Sequence, residues 1–321
     1  MGNSFKNLRR LENGIKVSMP TDENGLTGRE CPNSDCLGYF KIKFRTGLKG
    51  ENLPCHCPYC GHVAGHDHFW TQEQLKYAQS IMANEVSKAL KADVRDWDRS
   101  LRQSTRKSMI KLSMNFKGKS HPIRYYREKH LETNIVCETC TLEYAIYGVF
   151  AFCPDCGAHN SFQILQKNFE LVEKEISLAQ SSEDAELAKH LLEDALENAV
   201  SAFDGFGRAT AQAYSNKASH PDTAEDISFQ NIEGARKKIQ VEFGIDLADG
   251  INKDDWDFVN RCFQKRHLLA HKMGVIDQEY VKKARDPQSI VGRKITVTPD
   301  EVTRLLELLK TIGKNLVDNL K

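Results

Sequence analysis

Four short loops, each carrying two cysteines, place the strongest limit on how this 321-residue chain can fold. The first group has CPNSDC at 31–36 and CPYC at 57–60, and the second has CETC at 137–140 and CPDC at 153–156. Two such loops supply the four soft ligands that Zn²⁺ prefers in a tetrahedron. We therefore predict two structural Zn²⁺ sites. Their ligands are Cys31, Cys36, Cys57 and Cys60 at the first site and Cys137, Cys140, Cys153 and Cys156 at the second.

The residues around these cysteines favour metal binding, and both groups resemble zinc ribbons. Two loops continue as Cys-Pro-x-Cys-Gly, ending at Gly61 and Gly157, where proline fixes φ and glycine tolerates positive φ. A redox-active pair would open a helix in a βαβ unit, which the pattern does not predict; buried free thiols are the other alternative. Cys55 could replace Cys57 as a ligand, although the loop from Cys57 forms the better turn. A closed set of four cysteines predicts a structural and not a catalytic metal.

Cysteine usage and hydropathy also bear on location. Nine of the ten cysteines lie between Cys31 and Cys156, a distribution that favours metal sites over disulfides in a reducing cytosol. No stretch approaches the roughly 18 apolar residues of a transmembrane helix, and the first residues lack the apolar core of a secretion signal. We predict a soluble, cytoplasmic protein with no membrane partner.

Hydrophobic periodicity divides the chain into five segments. A long helix should begin at a capping box formed by Thr71 and Gln74 and end near Gly118. Its apolar stripe consists of Leu75, Met82, Val86, Leu90, Val94, Trp97 and Leu101. The predicted segments are a flexible tail at 1–29, a zinc ribbon at 30–66, a helical connector at 67–119, a second ribbon at 120–162 and a helical domain at 163–321. The predicted fold class is α+β: two small β-rich ribbons joined by a long helix, then an all-α bundle.

The C-terminal half shows helical spacing throughout, which predicts about five helices. Thr298 is the predicted N-cap of the last helix, with Pro299 at its first position. Asp254 or Asp255 is predicted to cap an earlier helix, which Gly274 ends.

Charge is unevenly distributed beneath a formal net charge of +1. Residues 95–130 carry 11 Lys and Arg against 3 Asp and Glu, which gives +8, whereas residues 163–205 carry 3 against 10, which gives −7. These two surfaces could simply be solvated or pack together. Alternatively, the basic segment 95–130 follows a nucleic-acid backbone, and with the ribbons it would contact a nucleic-acid or protein trigger.

The stretch RHLLAHKMG at 266–274 combines the residue types that phosphodiester chemistry needs. Arg266 can bind two phosphate oxygens at once, and His271 can exchange a proton with a ribose 2′-OH without a metal. The two lie about 140° apart around an ideal helix, so they do not share one face. A long arginine side chain could still reach the same groove, and a symmetric dimer could bring two copies together. A solvated helix end in which His267 and His271 are satisfied is the alternative.

The wider stretch FQKRHLLAHKMGVIDQEYV resembles the signature of the HEPN superfamily, and FQNIEGARKKIQVEFGIDL resembles the helix that precedes it. The resemblance covers residues 163–321 and implies an all-α domain of four or five helices, often a metal-independent ribonuclease. The family motif maps onto Arg266, His267 and His271 as catalytic residues, while Arg261 with His267 is an alternative register. Asp204 is a possible additional polar group.

That resemblance also implies a homodimer with two motifs across one cleft, RNA cleavage through a 2′,3′-cyclic phosphate, and a role as a defence or toxin effector. Some members of the family only bind, so a zinc-ribbon regulator that binds nucleic acid or protein without catalysis is the competing hypothesis. A third is a regulator in which the arginine and the histidines hold a nucleotide phosphate without cutting it.

Overall fold

The computed structural model describes residues 5–50, 53–107, 109–131, 133–286 and 289–320. It combines helices with small antiparallel sheets, so the α+β class is confirmed. The chain forms two compact units: Met1–Gly148 with Cys153–Gly157, and Val149–Phe152 with Ala158–Lys321. Within the described ranges, every helix is too short or too polar to span a bilayer.

The first unit is built on a four-stranded antiparallel sheet to which both cysteine groups contribute. Its strands are β1 (Thr27–Glu30), β2 (Tyr39–Ile42), β5 (Thr133–Val136) and β6 (Glu143–Ile146), in the order β1-β2-β6-β5. Strands β3 (Pro54–His56) and β4 (Val63–Gly65) form a separate hairpin. Ile42 pairs with Tyr144 at the junction of β2 and β6. The two groups, predicted as separate ribbons, therefore share one sheet.

The segment 1–29, predicted as a flexible tail, is structured in its described part. Helix α1 (Lys6–Arg9) packs on the long helix, where the N–H groups of Asn7 and Leu8 donate to the carboxylate of Asp93 at 2.9 and 3.0 Å. Asp22 pairs with the buried Lys41 at 2.8 Å. These bonds to Asp93 and Lys41 tie the segment to the rest of the unit.

The long helix α2 spans Gln72–Ser104 and begins at the predicted capping box of Thr71 and Gln74. It ends well before Gly118, because the chain turns back and residues 109–131 run along the helix toward its start. The bonds that hold them are Met114 N–H to Asp98 Oδ1 (2.8 Å), Lys91 Nζ to Ser120 Oγ (3.1 Å) and Arg124 N–H to Ser80 Oγ (3.0 Å). We call residues 109–131 the return segment.

The first half of the predicted apolar stripe of α2 does not face the interior of the unit. Leu75, Met82 and Val86 are 41, 48 and 44% exposed, whereas Gln74 and Asn84 are buried. This face of α2 meets backbone carbonyls, which polar side chains can satisfy. Gln74 Nε2 donates to the carbonyl of Gly28 in β1, and Asn84 Nδ2 donates to a carbonyl of the return segment.

The second unit is helical. Its helices are α3 (Ser161–Ser181), α4 (Ala185–Ala213), α5 (Pro221–Glu225), α6 (Ile232–Phe243), α7 (Lys253–Lys272), α8 (Gln278–Ala284) and α9 (Pro299–Leu320). Five of these described helices have at least 12 residues. The core is centred on Phe203, whose ring lies 5.7–6.3 Å from those of Phe206, Phe229 and Phe263.

Helix α7 carries the stretch RHLLAHKMG and has clear ends. Its N-cap is Asn252, whose Oδ1 accepts the N–H of Asp255 at 2.8 Å, so the prediction of an aspartate cap was wrong by two or three positions. The C-terminus is closed by Met273 and Gly274, both with positive φ, and the N–H of Gly274 donates to the carbonyl of Leu268 at 2.9 Å. This left-handed ending stops the helix immediately after the histidines.

Candidate metal centres and histidine pair

Each cysteine group brings four sulfurs together at distances that suit one metal ion. Cross-loop Sγ–Sγ distances are 3.7 Å for Cys31–Cys60 and Cys36–Cys57 in the first group. In the second group they are 3.7 Å for Cys137–Cys156 and 3.5 Å for Cys140–Cys153. All four sulfurs of each group lie within 4.8 Å of one another. A disulfide needs about 2.05 Å, whereas ligands about 2.3 Å from a tetrahedral Zn²⁺ lie about 3.8 Å apart.

All four cysteine loops end in a left-handed residue directly after the second cysteine. Gly61 and Gly157 have φ of 68° and 69°, as predicted from the sequence, and Leu37 and Thr141 occupy the same position with φ of 47° and 65°. The N–H groups of Gly61, Thr141 and Gly157 donate to the carbonyl of the first cysteine of their loop at 2.8–3.0 Å. Thr141 adopts this conformation although its β-branched side chain disfavours it. The surrounding structure therefore imposes the loop geometry.

The first loop, at 31–36, is longer than the others but has the same geometry, because an asparagine takes the position of the first cysteine. Asn33 stands where the other loops have their first cysteine: its carbonyl accepts the N–H of Leu37, and its Oδ1 accepts the N–H of Asp35, both at 3.0 Å. Cys31 then supplies its sulfur from two residues earlier. The Cys31–Cys36 spacing therefore fits the same kind of site as the x₂ spacing of the other loops.

Cys55 lies outside the first quartet, which uses Cys57. Burial raises the pKa of Cys55 to about 12, so its thiol is protonated at neutral pH. Burial also raises the pKa of Cys31 to about 11 and of Cys140 to about 12. A cation that binds must therefore displace the protons of Cys31 and Cys140, which is the usual coupling of metal binding to proton release.

Hydrogen bonds connect the parts of the chain that carry the two quartets. The N–H of His56, next to Cys57, donates to the carbonyl of Pro154 in the last cysteine loop at 2.8 Å. The N–H of Leu48 donates to Asp155 Oδ2 in the same loop at 2.7 Å. Together with the β2–β6 pairing, these bonds make both cysteine sites parts of one sheet unit.

In the second unit, the structure brings His267 and His271 together at the end of α7. Their ring centroids lie 4.8 Å apart, and both side chains are exposed. Arg266 is half-buried on another side of the helix, and its Nε is buried without a hydrogen-bond partner among the described residues. The site in one chain is thus a pair of solvent-facing imidazoles, with Arg266 next to His267 in the sequence.

The alternative residues have different surroundings. Arg261 also has a buried Nε with no partner among the residues described, so its environment does not separate it from Arg266. Asp204 accepts the N–H of Phe229 at 2.6 Å and the Nε of Arg208 at 3.0 and 3.1 Å. These bonds make Asp204 a structural anchor of the loop before α6.

The basic segment 95–130 comprises the end of α2 and most of the return segment. Its exposed cations include Arg102, Arg106, Lys107 and Lys111. The sequence reasoning missed Tyr125, which is 88% exposed between Arg124 and Arg127. The sequence RYYR at 124–127 could have indicated this residue, because aromatic rings among arginines are typical of surfaces that stack bases and bind phosphates.

We compared the chain with models of protein families, with curated proteins and with solved structures. None of the three comparisons finds a match.

Proposed function

We propose that this protein is a metal-independent endoribonuclease of the HEPN type whose sheet unit recognises a nucleic-acid or protein trigger. The observation that carries the proposal is the exposed pair His267 and His271, with ring centroids 4.8 Å apart, in the stretch that also holds Arg266, whose Nε has no partner among the described residues. Exposed imidazoles can exchange protons with a substrate, and a guanidinium without a carboxylate partner remains available to a phosphate.

Each residue has a distinct role in the proposed reaction. Arg266 binds the non-bridging oxygens of the scissile phosphate and stabilises the charge that develops on them. His271 takes the proton of the ribose 2′-OH as the 2′-oxygen bonds to phosphorus. The bond from phosphorus to the 5′-oxygen breaks, and His267 or a water it orients protonates that oxygen. The products are a 2′,3′-cyclic phosphate and a 5′-hydroxyl.

A homodimer through the helical unit would complete this site. Arg266 and His271 lie about 140° apart around the helix axis, so one copy of α7 does not present both to a single phosphate directly. A second copy facing the first would supply the missing group from across the cleft. The HEPN resemblance motivates the dimer, and this angular separation gives it a physical reason.

We assign Zn²⁺ to both cysteine quartets as the ion that suits their ligands and sulfur spacing. Its ligands would be the eight cysteines named above, and when bound it would stabilise the sheet unit without taking part in catalysis, because four thiolates close its coordination sphere. The basic segment 95–130 would contact the phosphate backbone of the trigger or substrate.

The test is an RNA cleavage assay with the full chain in a dose of EDTA that spares tightly bound zinc. Wild type, Arg266→Ala and His271→Ala are compared, with His190→Ala, another exposed histidine of the helical unit, as the matched control. Wild type and the control should cut RNA to cyclic-phosphate ends, and the two site variants should not. Equal cleavage by His271→Ala would refute the assigned base.

The second candidate is a regulator that binds nucleic acid without cutting it. It is favoured by the exposed Tyr125 flanked by Arg124 and Arg127, which requires no catalysis to be useful. In that case affinity for nucleic acid falls when Arg102 and Arg106 are neutralised, and the dependence of the binding constant on salt becomes shallower. No RNA cleavage by wild type in the presence of such binding would favour this candidate.

A further inference from the structure

A cavity of about 770 Å³ lies within the sheet unit, between the two cysteine groups. One wall is the chain after β2, from Ile42 to Gly50, and another is the start of the turn after β4 at His66. The second cysteine group closes the cavity with Leu142 and Asp155. The cavity therefore exists because the two groups share one sheet, and its volume falls in the range of small-molecule sites.

The wall after β2 is a braced turn. Thr46 Oγ1 donates to the carbonyl of Lys43 at 2.7 Å and accepts the N–H of Glu143 at 3.0 Å. Arg45, between them, has a φ of 71°, a left-handed conformation that is unfavourable for a residue with a long side chain. The turn is held in a strained form that presents Arg45 at the rim of the cavity, as is common at ligand sites.

An aromatic ring with one supported face lines the same cavity. The guanidinium of Arg29 lies 4.9 Å from the ring centroid of Phe44 and 4.5 Å from that of Trp70. Arg29 is 1% exposed, whereas Phe44 remains 50% exposed. The buried arginine fixes the ring of Phe44 from one side, which leaves a rigid apolar platform open to a planar ligand.

A polar atom without a partner also lies in this wall. His66 Nδ1 is buried and has no hydrogen bond among the described residues. Burial lowers the pKa of His66, which keeps the ring neutral, so one of its nitrogens is an acceptor and the other a donor. His66 therefore gives this wall a neutral polar ring.

The rim of the cavity carries unpaired positive charge. Lys43 is paired with Glu143 at 2.7 Å, but Arg45 and Lys49 have no ion-pair partner in the part of the chain that is described. The carboxylate of Asp155 is engaged by the N–H of Leu48. The exposed carboxylate of Asp67 also lines the cavity, so Arg45 and Lys49 are the groups at this opening that can pair with an anion.

We propose that this cavity binds a nucleoside phosphate, with the base stacked on Phe44, its polar edge at His66 and the phosphate at Arg45 and Lys49. The combination of one open aromatic face, one neutral histidine ring and two cations matches the three parts of such a ligand. The ligand is either a free nucleotide or the phosphorylated end of a single-stranded nucleic acid, since both carry the same chemistry. The site is separate from the histidine pair and does not depend on RNA cleavage.

Binding is measured by calorimetry on the full, zinc-loaded chain with two sets of probes. One set is the free ribonucleoside triphosphates; the other is short 2′-O-methyl oligonucleotides with and without a 5′-phosphate, which lack the 2′-OH needed for cleavage. The variants are Phe44→Ala and the double change Arg45→Gly with Lys49→Ala, where glycine preserves the left-handed turn. The matched control is Lys174→Ala with Lys189→Ala in the helical unit.

We expect saturable binding of one probe set, and the set that binds identifies the source of the ligand. Loss of two charge-assisted contacts or of the stacking platform should weaken binding by about tenfold or more, with zinc content and circular dichroism unchanged. The control should bind as wild type does. Absence of saturable binding by both sets at millimolar concentration, or equal affinity in all variants, overturns the proposal. Because the probes resist cleavage, either result is independent of whether the protein cuts RNA.

Discussion

The imidazole of His159, at the start of the helical unit, should make that unit sensitive to mild acid. His159 is 9% exposed, its Nδ1 has no partner among the described residues, and its neighbours are rings. The centroids of Phe152 and Tyr214 lie 4.9 and 6.3 Å from it. Burial lowers the pKa of His159 from its ordinary 6.5 to about 4, because a positive charge in this apolar site is poorly solvated.

The sign and size of the effect follow from proton linkage. Above pH 6.5 neither the folded nor the unfolded chain protonates this ring, so the full stability is present. As the pH falls from 6.5 through 4, the unfolded chain binds a proton that the folded chain refuses, and stability is lost by about 1.4 kcal/mol per pH unit. The loss totals about 3 kcal/mol and levels off below pH 4. Tyr214 adds no charge, since burial raises its pKa.

The experiment is denaturant unfolding of wild type and His159→Phe from pH 8 to pH 4, followed by the fluorescence of Trp256 in α7 with Trp70 and Trp97 replaced by phenylalanine. The titration of carboxylates and any loss of metal in acid affect both proteins equally. Their contributions therefore cancel in the difference between the two free energies of unfolding. The two should have similar stability at pH 8, and wild type should fall below the variant as the pH decreases. His190→Gln, at a 67% exposed site, serves as the control. Parallel curves for wild type and His159→Phe would refute the reasoning.

Three further outcomes are expected. The variant Cys57→Ser should bind one equivalent of metal and Cys55→Ser two, as counted by elemental analysis, because only Cys57 belongs to a quartet; equal loss in both would contradict the assignment. Asp204→Ala should lower the free energy of unfolding by about 2–3 kcal/mol in denaturant titration, since it removes the acceptor of the Phe229 N–H; no change would show that water replaces it. Gly28→Ala should destabilise the sheet unit by about 1–3 kcal/mol in the same assay, because the added Cβ would lie 2.6 Å from the hydroxyl of Tyr39; an unchanged midpoint would mean that the ring moves freely.

Features that depend on neighbouring residues could be predicted from the sequence. The cysteine quartets follow from loop spacing, and Gly61 and Gly157 follow from the need for positive φ. The capping box at Thr71 and Gln74 is a four-residue pattern and is confirmed. In each case the residues that define the local geometry are a few positions apart in the sequence, so a short sequence pattern predicts it.

Features that depend on distant pairing could not be predicted. Nothing local indicates that β2 pairs with β6, so the sharing of one sheet and the cavity between the cysteine groups were both missed. The end of α2 was placed too late because the bonds of the return segment to Asp98 and Ser80 join residues far apart in the sequence. The assignment of Arg266, His267 and His271 to catalysis stays a prediction.

The order of strands has a consequence for how the chain must be made. Ile42 of β2 pairs with Tyr144 of β6, which is 102 positions later (144 − 42). At 5–20 residues per second, the ribosome needs roughly 5–20 s to supply β6 after β2 has emerged. During that interval β1 and β2 can pair and the first cysteine quartet can close, but the other edge of β2 stays open. A nascent or truncated chain that ends before β6 therefore presents a bare strand edge, the kind of surface on which copies of a chain associate.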